Sequence, residues 1–550
     1  MTPPATGPEH ARAAPDDAAA TRARAWARAN ALAAARDWPG AADAYAALAG
    51  SEPGDAAAWI GLAKASGRAG RYRAMHAAAL RAHAAGPREW PHALALARLL
   101  RDLHETRALA ALSTAMAGFA EAAGPDEFVA LADLLVDEDL HDEALTWLDR
   151  AVDRAPSHAP ARYVRGSTRL FLGDMAGARD DLRQAIAAAP HFAHAHRRLS
   201  QLRAQDRPGA AARVERLRDE RARVAPGSEH DIHFSHALFD ELHDLGRHDE
   251  AWPELERGMR AKRATLRYDV EDDLRLAEAI RDRCDAGFIT GAGQVPDAEA
   301  PSPVFIVGLF RSGSTVLERM LGGHPAVAEG GESMGFAAAL RLAADHRGRG
   351  PVDAGLLGRL DAIDWPALGR DFMAANAWRA RGRALWTEKL PTNALLLGCI
   401  ARALPGARFI HAVRAPMDVC FSNLRMLYGG FAPWSYDQRE LAAWHQAHAR
   451  LMAHWHAVLG PRLLDVRHDA LLREPEAVMR GVLDHLGLDF DPDVLRPERS
   501  GGAVATASAA QVRAGLRAPG PPEWRPYLDR LGPLVAGLGL DDPTGSGRPA

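Results

Sequence analysis

A glycine-containing loop is the clearest chemical motif of the 550-residue chain. The apolar run 304–307 is followed by Gly308, and a helix-like stretch begins after Gly313. This order predicts a buried strand, a tight polar loop and a helix whose first backbone N–H groups bind phosphate. The glycines match G-x-x-x-x-G-K-[ST], but Ser314 stands where nucleoside triphosphatases have a lysine that contacts the β- and γ-phosphates. The loop is therefore expected to bind phosphate without hydrolysing a triphosphate, with Arg311 supplying the positive charge.

Three segments downstream carry further groups that are suited to group transfer. One contains Glu329 and Glu332, and a carboxylate can accept the proton of an attacking hydroxyl. The second contains Lys389 just beyond a predicted strand, where open α/β sheets place ligand groups. Only three of the 67 basic residues are lysines, so a lysine at this position is a specific signal. The third has Arg414 followed eight residues later by Ser422, and both side chains can donate hydrogen bonds to phosphate oxygens.

The loop and these segments, in this order, resemble the sulfotransferases that use 3'-phosphoadenosine 5'-phosphosulfate (PAPS). The specific likeness is to tyrosylprotein sulfotransferases and their repeat-containing bacterial relatives. The resemblance implies that Arg414 and Ser422 bind the 3'-phosphate of PAPS, with a structural pair between Arg414 and Asp418 as the alternative. It also implies that the 5'-phosphosulfate lies on the loop, where it contacts Arg311, Ser312, Gly313, Ser314 and Thr315.

The same resemblance implies catalytic roles for three residues. Glu332 corresponds to the general base of the family, and Glu329 is its local competitor. Lys389 corresponds to the lysine that stabilises the leaving phosphate, and Ser508 to a serine near the transferring group. Arg513 either reaches the nucleotide or only caps the domain.

One position departs from the pattern of the family. Relatives often have a strand that ends in Arg-Tyr-Glu-Asp-Leu, and here the tyrosine position holds His468, which could donate a similar hydrogen bond. Tyr527 follows Trp524, as in relatives, and is expected to pack rather than to catalyse.

Short apolar runs alternate with amphipathic helical stretches after residue 303. This alternation predicts a parallel sheet that is covered by helices. The runs predicted as strands are Val304–Val307, Ala384–Trp386, Arg408–Val413 and Leu463–Val466.

Helical repeats precede this region, from about residue 23 to residue 205. Pro53 and Pro87 lie 34 residues apart, as do Pro156 and Pro190, and Pro125 falls between them at an imperfect spacing. This period resembles the tetratricopeptide repeat (TPR), whose helix pairs stack into a solenoid with a concave surface. A generic helical bundle is the alternative. The clearest repeat places large, small and turn residues at matching positions, namely Tyr163, Gly166, Gly173, Ala178, Leu182 and Ala185.

The sequence thus predicts a multidomain protein, an N-terminal all-α TPR solenoid followed by an α/β P-loop-like sulfotransferase domain with a parallel central sheet. Residues 1–22, rich in alanine, proline and aspartate, are expected to be disordered. The solenoid is assigned to residues 23–265, and its last helix pair turns at Gly246. Residues 266–300 are assigned to a connecting segment, and residues 301–550 to the PAPS-dependent domain.

Composition argues against several other classes of function. The net charge of −4 gives no basic excess, so no nucleic-acid partner is expected. The sequence shows neither a run of about 18 apolar residues nor a secretory signal, so we expect a cytoplasmic protein without a membrane span. Three cysteines lie far apart and predict buried free thiols rather than a disulfide framework. Histidines and carboxylates do not show metal-ligand spacing, so no metal is expected.

The expected function is in-line transfer of the sulfuryl group from PAPS to a hydroxyl. The acceptor could be a protein or peptide tyrosine docked by the solenoid, whereas a saccharide, a lipid or a small hydroxyl compound stays open. The solenoid could equally drive homodimerisation. Two other functions are considered: a TPR interaction scaffold that carries an inactive sulfotransferase-like domain, and an unusual P-loop kinase.

Overall fold

The computed structural model of the chain describes residues 15–202, 207–290, 301–348, 350–499 and 520–541. The chain divides into two compact units. The first comprises residues 1–123 and 345–347, and the second comprises residues 124–344 and 348–550.

Helix pairs make up the first unit. The helices are α1 (Pro15–Ala34), α2 (Trp38–Ser51), α3 (Ala56–Arg68), α4 (Tyr72–Ala85), α5 (Trp90–Asp102) and α6 (Thr106–Met116), followed by a 3-10 helix (Ala117–Ala122). Residues 15–22, expected to be disordered, lie within α1. Arg22 forms ion pairs with Glu52 and with Asp55, the N-cap of α3. These pairs hold the start of α1, which begins earlier in the chain than the sequence predicts.

Four more helix pairs begin the second unit. They are formed by α7 (Pro125–Val136), α8 (His141–Arg154), α9 (Ala159–Leu172), α10 (Met175–Ala188), α11 (Ala193–Gln201), α12 (Arg207–Ala222), α13 (Glu229–Asp244) and α14 (His248–Ala264). The starting residues of α3, α5, α7, α9, α11 and α13 are 34 to 36 residues apart. The predicted all-helical, TPR-like N-terminal region is therefore confirmed.

The pair α9–α10 shows why the repeat pattern uses small residues. Gly173 ends α9 with a left-handed φ of +94°, and the next residue caps α10. A Cβ on Gly166 would lie 3.1 Å from the carbonyl oxygen of Ala178, so a glycine here lets the two helices approach closely without crowding. Leu182 and Ala185, predicted to line the second helix, are fully buried.

The connecting segment, residues 266–300, is helical over much of its described length. It contains α15 (Val270–Arg283) and α16 (Ala286–Thr290), whereas the glycine- and proline-rich residues 291–300 lie outside the described residues. Ile280 and Phe288 are buried in the same core as Phe305 of the α/β domain. The apolar side chains of the segment therefore extend that core.

The α/β domain is built on a five-stranded parallel sheet. Its strands are β1 (Ser302–Gly308), β2 (Val327–Ala328), β3 (Leu385–Lys389), β4 (Arg408–Val413) and β5 (Leu463–Arg467), in the order β2-β3-β1-β4-β5. The four predicted strands and the parallel sheet are confirmed. The two-residue strand β2 was not predicted, because a run this short has no periodicity. In the central register, Ile306 lies opposite Lys389 and Ile410.

Helices cover both faces of this sheet. They are α17 (Ser314–Gly322), α18 (Gly335–Ala344), α19 (Ala354–Leu357), α20 (Trp365–Asn376), α21 (Leu397–Ala403), α22 (Pro416–Leu424), α23 (Gln438–Leu459), α24 (His468–Arg473), α25 (Pro475–Leu486) and α26 (Gly532–Leu538). Val304 and Ile306 pack with α17 and α25 on one face, while Phe305 and Val307 pack with α18, α20, α21 and α23 on the other. Short 3-10 helices lie at Leu360–Ala362, Ala377–Ala380, Pro391–Leu395, Pro433–Tyr436, Gly460–Arg462, Pro492–Leu495, Pro497–Arg499 and Arg525–Arg530.

The last repeat pair and the α/β domain share one apolar core. Phe239 of α13 and Trp252 of α14 are buried together with Phe421 of α22 and Tyr527. Arg425, just after α22, strengthens this contact by pairing with Asp240 of α13 at 3.0 Å. The shared core therefore packs the last repeat pair directly against the α/β domain.

Candidate functional site

The predicted phosphate loop joins β1 to α17 and has a strained backbone. Gly308, Arg311 and Gly313 have φ values of +155°, +69° and +99°. A Cβ on Gly308 would lie 2.7 Å from the carbonyl oxygen of Ala412, and one on Gly313 would lie 2.3 Å from Nδ1 of His468. Both the positive φ and the lack of space for a Cβ thus favour glycine at these two positions. Arg311 adopts a left-handed conformation that few non-glycine residues take.

The residues predicted to bind phosphate lie together around this loop. Arg311 Nε donates a hydrogen bond to Ser422 Oγ at 3.0 Å, and Arg414 Nη1 donates to the carbonyl oxygen of Arg311 at 3.2 Å. Burial lowers the pKa of Arg311, and the nearby charge of Arg414 adds to this effect. Ser314 and Thr315 are buried in the first turn of α17. Two guanidinium groups thus lie close together where an anion would balance their charge.

The alternative pairing of Arg414 with Asp418 does not occur. Asp418 instead accepts a hydrogen bond from Trp524 Nε1 at 2.8 Å. No ion pair joins Arg414 to a carboxylate within the described residues, so its guanidinium is held by the loop carbonyl.

Two buried polar atoms at the loop fit an oxyanion ligand. Ser312 Oγ and His468 Nδ1 are shielded from solvent and have no hydrogen-bond partner among the described residues. Burial lowers the pKa of His468 to about 4, with the Arg414 charge contributing. The imidazole is therefore neutral at pH 7 and can donate one hydrogen bond to a phosphate oxygen, as expected for the tyrosine that it replaces.

Lys389 forms a buried ion pair at the end of β3. Its Nζ lies 2.6 Å from Glu332 Oε1 and 3.8 Å from Glu318 Oε2, and the lysine side chain is 1% exposed. Burial lowers its pKa, but the two carboxylates outweigh this effect, so the pKa of Lys389 is raised overall. Lys389 is therefore a fixed positive charge at the sheet edge where β1 leads into the phosphate loop.

Glu332 lies on a loop that β3 and α17 hold by hydrogen bonds. Gly330 N–H donates to Thr387 Oγ1 at 3.0 Å, and Gly331 N–H donates to Glu318 Oε1 at 3.0 Å. The carbonyl oxygen of Gly331 accepts from the Lys389 N–H at 3.0 Å. The side chain of Glu332 remains one-third exposed, so it can contact both Lys389 and a ligand.

Glu329, the local competitor of Glu332, has a different environment. Its Oε2 accepts a hydrogen bond from Arg319 Nη1 at 3.0 Å, and that arginine side chain is 2% exposed. Neutralising a buried arginine is a structural task. The geometry therefore favours Glu332 as the carboxylate that is available for chemistry.

Three other predicted residues have different outcomes. Ser508 and Arg513 lie outside the described residues, so their assignments stay predictions. Tyr527 is buried in the core, and its hydroxyl lies 2.8 Å from His243 Nδ1 and 3.1 Å from His248 Nδ1. These contacts agree with the packing role expected for Tyr527.

Sequence reasoning missed two residues of the site. Glu318 lies one helical turn after Ser314, so the i, i+4 spacing from the loop was a usable signal. Asn423 donates to the carbonyl oxygen of Phe310 at 2.7 Å and accepts from the hydroxyl of Tyr428 at 2.8 Å. Its neighbour Ser422 was the only residue of that helix turn to be assigned.

The structure gathers two groups of ligand-type side chains that sequence spacing did not indicate. Their candidate ligand atoms lie within 4.8 Å of one another in the groups His194/Glu229/His233 and His411/His456/Asp465. In the second group, Asp465 Oδ1 lies 2.9 Å and 2.7 Å from ring nitrogens of the two histidines. Mutual hydrogen bonding accounts for that arrangement, and we assign no metal to either group.

The sequence also made predictions about the cysteines and about membrane-spanning helices. Cys284, Cys399 and Cys420 are buried free thiols. None of the described helices combines the length and the apolar character needed to cross a membrane.

The region that contains the predicted phosphate loop is similar to known proteins. Residues 303–492 match the model of the family described as "Sulfotransferase family". A protein of Aquifex aeolicus (strain VF5), named "Uncharacterized protein", is 29% identical over 251 residues, which cover 42% of this chain and 32% of that protein. A "Putative protein-tyrosine sulfotransferase" of Caenorhabditis briggsae is 25% identical over 263 residues, covering 45% and 91%. The chain thus spans about a third of the first relative and most of the second.

Solved structures resemble each part of the chain separately. The sulfotransferase domain from the Synechococcus PCC 7002 olefin synthase is 21% identical and covers 46% of this chain and 100% of its own, with a TM-score of 0.27. YrrB, a TPR protein with an unusual peptide-binding site, is 21% identical and covers 30% and 86%, with a TM-score of 0.25. By the family match and by its own fold, the chain carries a Sulfotransferase family domain next to TPR-like helical repeats.

Proposed function

We propose that the protein transfers the sulfuryl group of PAPS to a hydroxyl group. The observation that carries this proposal is the Lys389–Glu332 ion pair beside the phosphate loop. Ile306 lies opposite Lys389 in the sheet and only two residues before Gly308, so the lysine and the loop share one edge. A candidate base, a buried cation and an anion-binding loop thus meet where open α/β sheets bind ligands.

The proposed reaction is a single in-line displacement at sulfur. A new S–O bond forms to the acceptor oxygen while the S–O bond to the bridging oxygen of PAPS breaks, and PAP leaves. The acceptor proton passes to the Glu332 carboxylate. Lys389 balances the negative charge on the leaving phosphate, and its three N–H donors allow it to keep contact with Glu332. Positioning and charge stabilisation supply most of the rate enhancement, as in phosphoryl transfer.

The nucleotide is expected to bind through its two phosphate groups. Arg311 and the first backbone N–H groups of α17 would hold the 5'-phosphosulfate, and the unpartnered hydroxyl of Ser312 would donate to it. Arg414 and Ser422, which already converge on the loop, would hold the 3'-phosphate. These groups do not require a metal ion for anion binding.

The acceptor class we favour is a tyrosine hydroxyl in a protein or peptide. The Caenorhabditis briggsae relative carries a name of that class. In this chain the repeats of the second unit and the α/β domain share a core, so the repeats can present an extended partner to the sheet edge.

The first experiment is thermal unfolding of the full chain with PAP, with ATP as the control. At about 100-fold excess over Kd, a specific ligand adds about 2.7 kcal/mol of stability. A shift with PAP and little shift with ATP supports the proposal, and transfer of label from PAPS to tyrosine peptides then identifies the acceptor class. The absence of a PAP shift, or magnesium-dependent consumption of ATP, would overturn it.

A further inference from the structure

A residue of the helical repeats lies against the loop that carries Glu332. Asp139 is in the turn between α7 and α8 and has a left-handed φ of +59°. Its Oδ2 lies 3.0 Å from the position that a Cβ on Gly331 would occupy. Gly331 itself has a φ of +73°, and the next residue is Glu332. The turn of the repeat and the glutamate loop are therefore in direct contact through two unusual backbone conformations.

The contact falls on the segment that sets the geometry of the ion pair. Gly331 is bonded through its N–H to Glu318 and through its carbonyl oxygen to the Lys389 N–H. A change in the position of Gly331 would therefore alter the distance between Glu332 and Lys389. Asp139 limits such a change because its Oδ2 lies against Gly331, and its own side chain stays one-third exposed.

Asp139 also adds charge to the site. The charged groups that act on it from the α/β domain are Lys389, Glu332, Arg379 and Glu318. On its own hairpin, His141 Nε2 lies 3.7 Å from Asp139 Oδ1. Burial raises the pKa of Asp139 to about 7; Lys389 opposes this rise and Glu332 adds to it. The carboxyl therefore ionises close to neutral pH, within the electrostatic reach of Lys389 and Arg379.

We infer that Asp139 is a positioning residue of the proposed sulfuryl-transfer site, supplied by the repeats, which fixes the Gly331–Glu332 segment. This inference rests on the proposed function. It makes the repeats a part of the active site rather than only a docking surface for the acceptor. A raised pKa means that the folded site favours the protonated carboxyl, so ionisation of Asp139 above about pH 7 is expected to loosen the segment and to lower transfer.

The test compares Asp139→Gly, which removes the side chain at a φ that glycine adopts freely, and Asp139→Asn, which keeps an uncharged side chain of the same size, with the wild type and with Asp142→Asn, which removes an exposed carboxylate from the same hairpin. The assay measures release of labelled sulfate from PAPS with water as the acceptor, so it needs no identified partner. For Asp139→Gly at pH 6 we expect kcat to fall about tenfold or more, since small displacements of reacting groups have large effects. The KM for PAPS and the calorimetric affinity for PAP should stay unchanged, because this residue lies outside the phosphate loop.

The pH profile separates a charge effect from a general loss of structure. The secondary phosphate of PAPS titrates at about pH 6, so the profiles of the variants are compared with one another. The wild type and Asp142→Asn should share a decline of kcat above about pH 7 that Asp139→Asn lacks and Asp139→Glu keeps. Wild-type kcat in Asp139→Gly, or an unchanged decline in Asp139→Asn, would overturn the inference, as would identical behaviour of the Asn and Glu variants. A wild-type protein that binds PAP but releases no sulfate and labels no acceptor would instead refute the proposed function.

Discussion

Lys389 Nζ lies 2.6 Å from Glu332 Oε1, and this ion pair joins the end of β3 to a loop beside the predicted phosphate loop. The lysine is buried, whereas the glutamate is one-third exposed. The exposed partner can therefore exchange contacts with a ligand, while the buried partner stays in place. A compact ammonium suits such a point contact better than a guanidinium, which agrees with the use of a rare lysine at this position in an arginine-rich chain.

The first prediction concerns the base. Glu332→Gln should lower kcat for sulfuryl transfer by about 10²-fold or more, because the amide cannot accept the acceptor proton. Its affinity for PAP, measured by calorimetry, should remain because Glu332 is not among the residues proposed to hold the phosphate groups. Loss of PAP binding in this variant would contradict the assignment.

Glu329→Gln is the matched control for Glu332→Gln, since the two carboxylates lie three residues apart. It weakens the buried ion pair with Arg319, so its main effect should be on stability, with a loss of up to about 3–5 kcal/mol, the scale of a broken buried pair. Thermal unfolding should show the larger loss of stability for Glu329→Gln, and transfer assays should show the larger loss of kcat for Glu332→Gln. Equal effects of the two substitutions on kcat would argue that Glu329 shares the role of base.

The second prediction concerns the 3'-phosphate. Arg414→Ala should weaken PAP binding by roughly 1.5–3 kcal/mol, the scale of a hydrogen bond to a charged group. Arg473→Ala removes an exposed arginine of the neighbouring helix α24 and should leave the affinity unchanged. If calorimetry finds wild-type affinity in Arg414→Ala, the 3'-phosphate binds elsewhere.

The third prediction concerns the backbone of the loop. Gly313→Ala should abolish the PAP-induced shift in thermal unfolding, because its Cβ would clash with His468 and the φ of +99° disfavours any side chain. Gly487→Ala has a φ of +72° but open space around the new Cβ, so it should cost only about 1–2 kcal/mol of stability. PAP binding should persist in the Gly487 variant. A normal PAP shift in Gly313→Ala would mean that the loop does not hold the nucleotide.

The sequence was sufficient to predict four of the five strands and the loop, because these depend on local pattern. Four apolar runs and two glycines determine where the chain forms strands and where it turns. The pairing of Glu332 rather than Glu329 with Lys389 could not be derived in this way, because it depends on how the loop is fixed by Gly330 and Gly331. The family resemblance supplied only the choice of Glu332 over Glu329 as the candidate base, and the ion pair itself was not predicted.

The contact of Asp139 with the glutamate loop could not be predicted from the sequence either, for a different reason. Nearly two hundred residues separate it from Glu332 along the chain, and one acidic residue in a repeat turn is an ordinary surface feature. Only the packing of the second unit brings the α7–α8 turn to Gly331. Contacts of this kind have no local signature, so they require the tertiary structure.

The fourth prediction is a pH dependence of stability that follows from Asp139. The pKa of this carboxyl is about 7 in the folded protein, against 3.8 for an ordinary aspartate. Between these values the folded state holds a proton that the unfolded state has lost, so the free energy of unfolding falls as the pH rises from about 4 to about 7. Asp139→Asn should lose this part of the decline and be more stable than the wild type at pH 8, as measured by denaturant unfolding at several pH values. A wild-type slope in the variant would contradict the raised pKa.

The fifth prediction tests whether Tyr527 packs or catalyses. Tyr527→Phe removes a buried hydroxyl that contacts His243 and His248 but keeps the ring between Phe239 and Phe421. The free energy of unfolding should therefore fall by about 1–3 kcal/mol, the cost of leaving buried polar groups without this partner. The affinity for PAP and the kcat for transfer should not change.

Tyr163→Phe is the control for Tyr527→Phe, because this half-buried tyrosine of α9 has no hydrogen bond to its hydroxyl among the described residues. Its stability should stay within about 0.5 kcal/mol of the wild type. Denaturant unfolding and the sulfate-release assay on both variants measure the two effects separately. A fall in kcat with unchanged stability in Tyr527→Phe would show that the hydroxyl takes part in the reaction, since packing alone would reduce stability first.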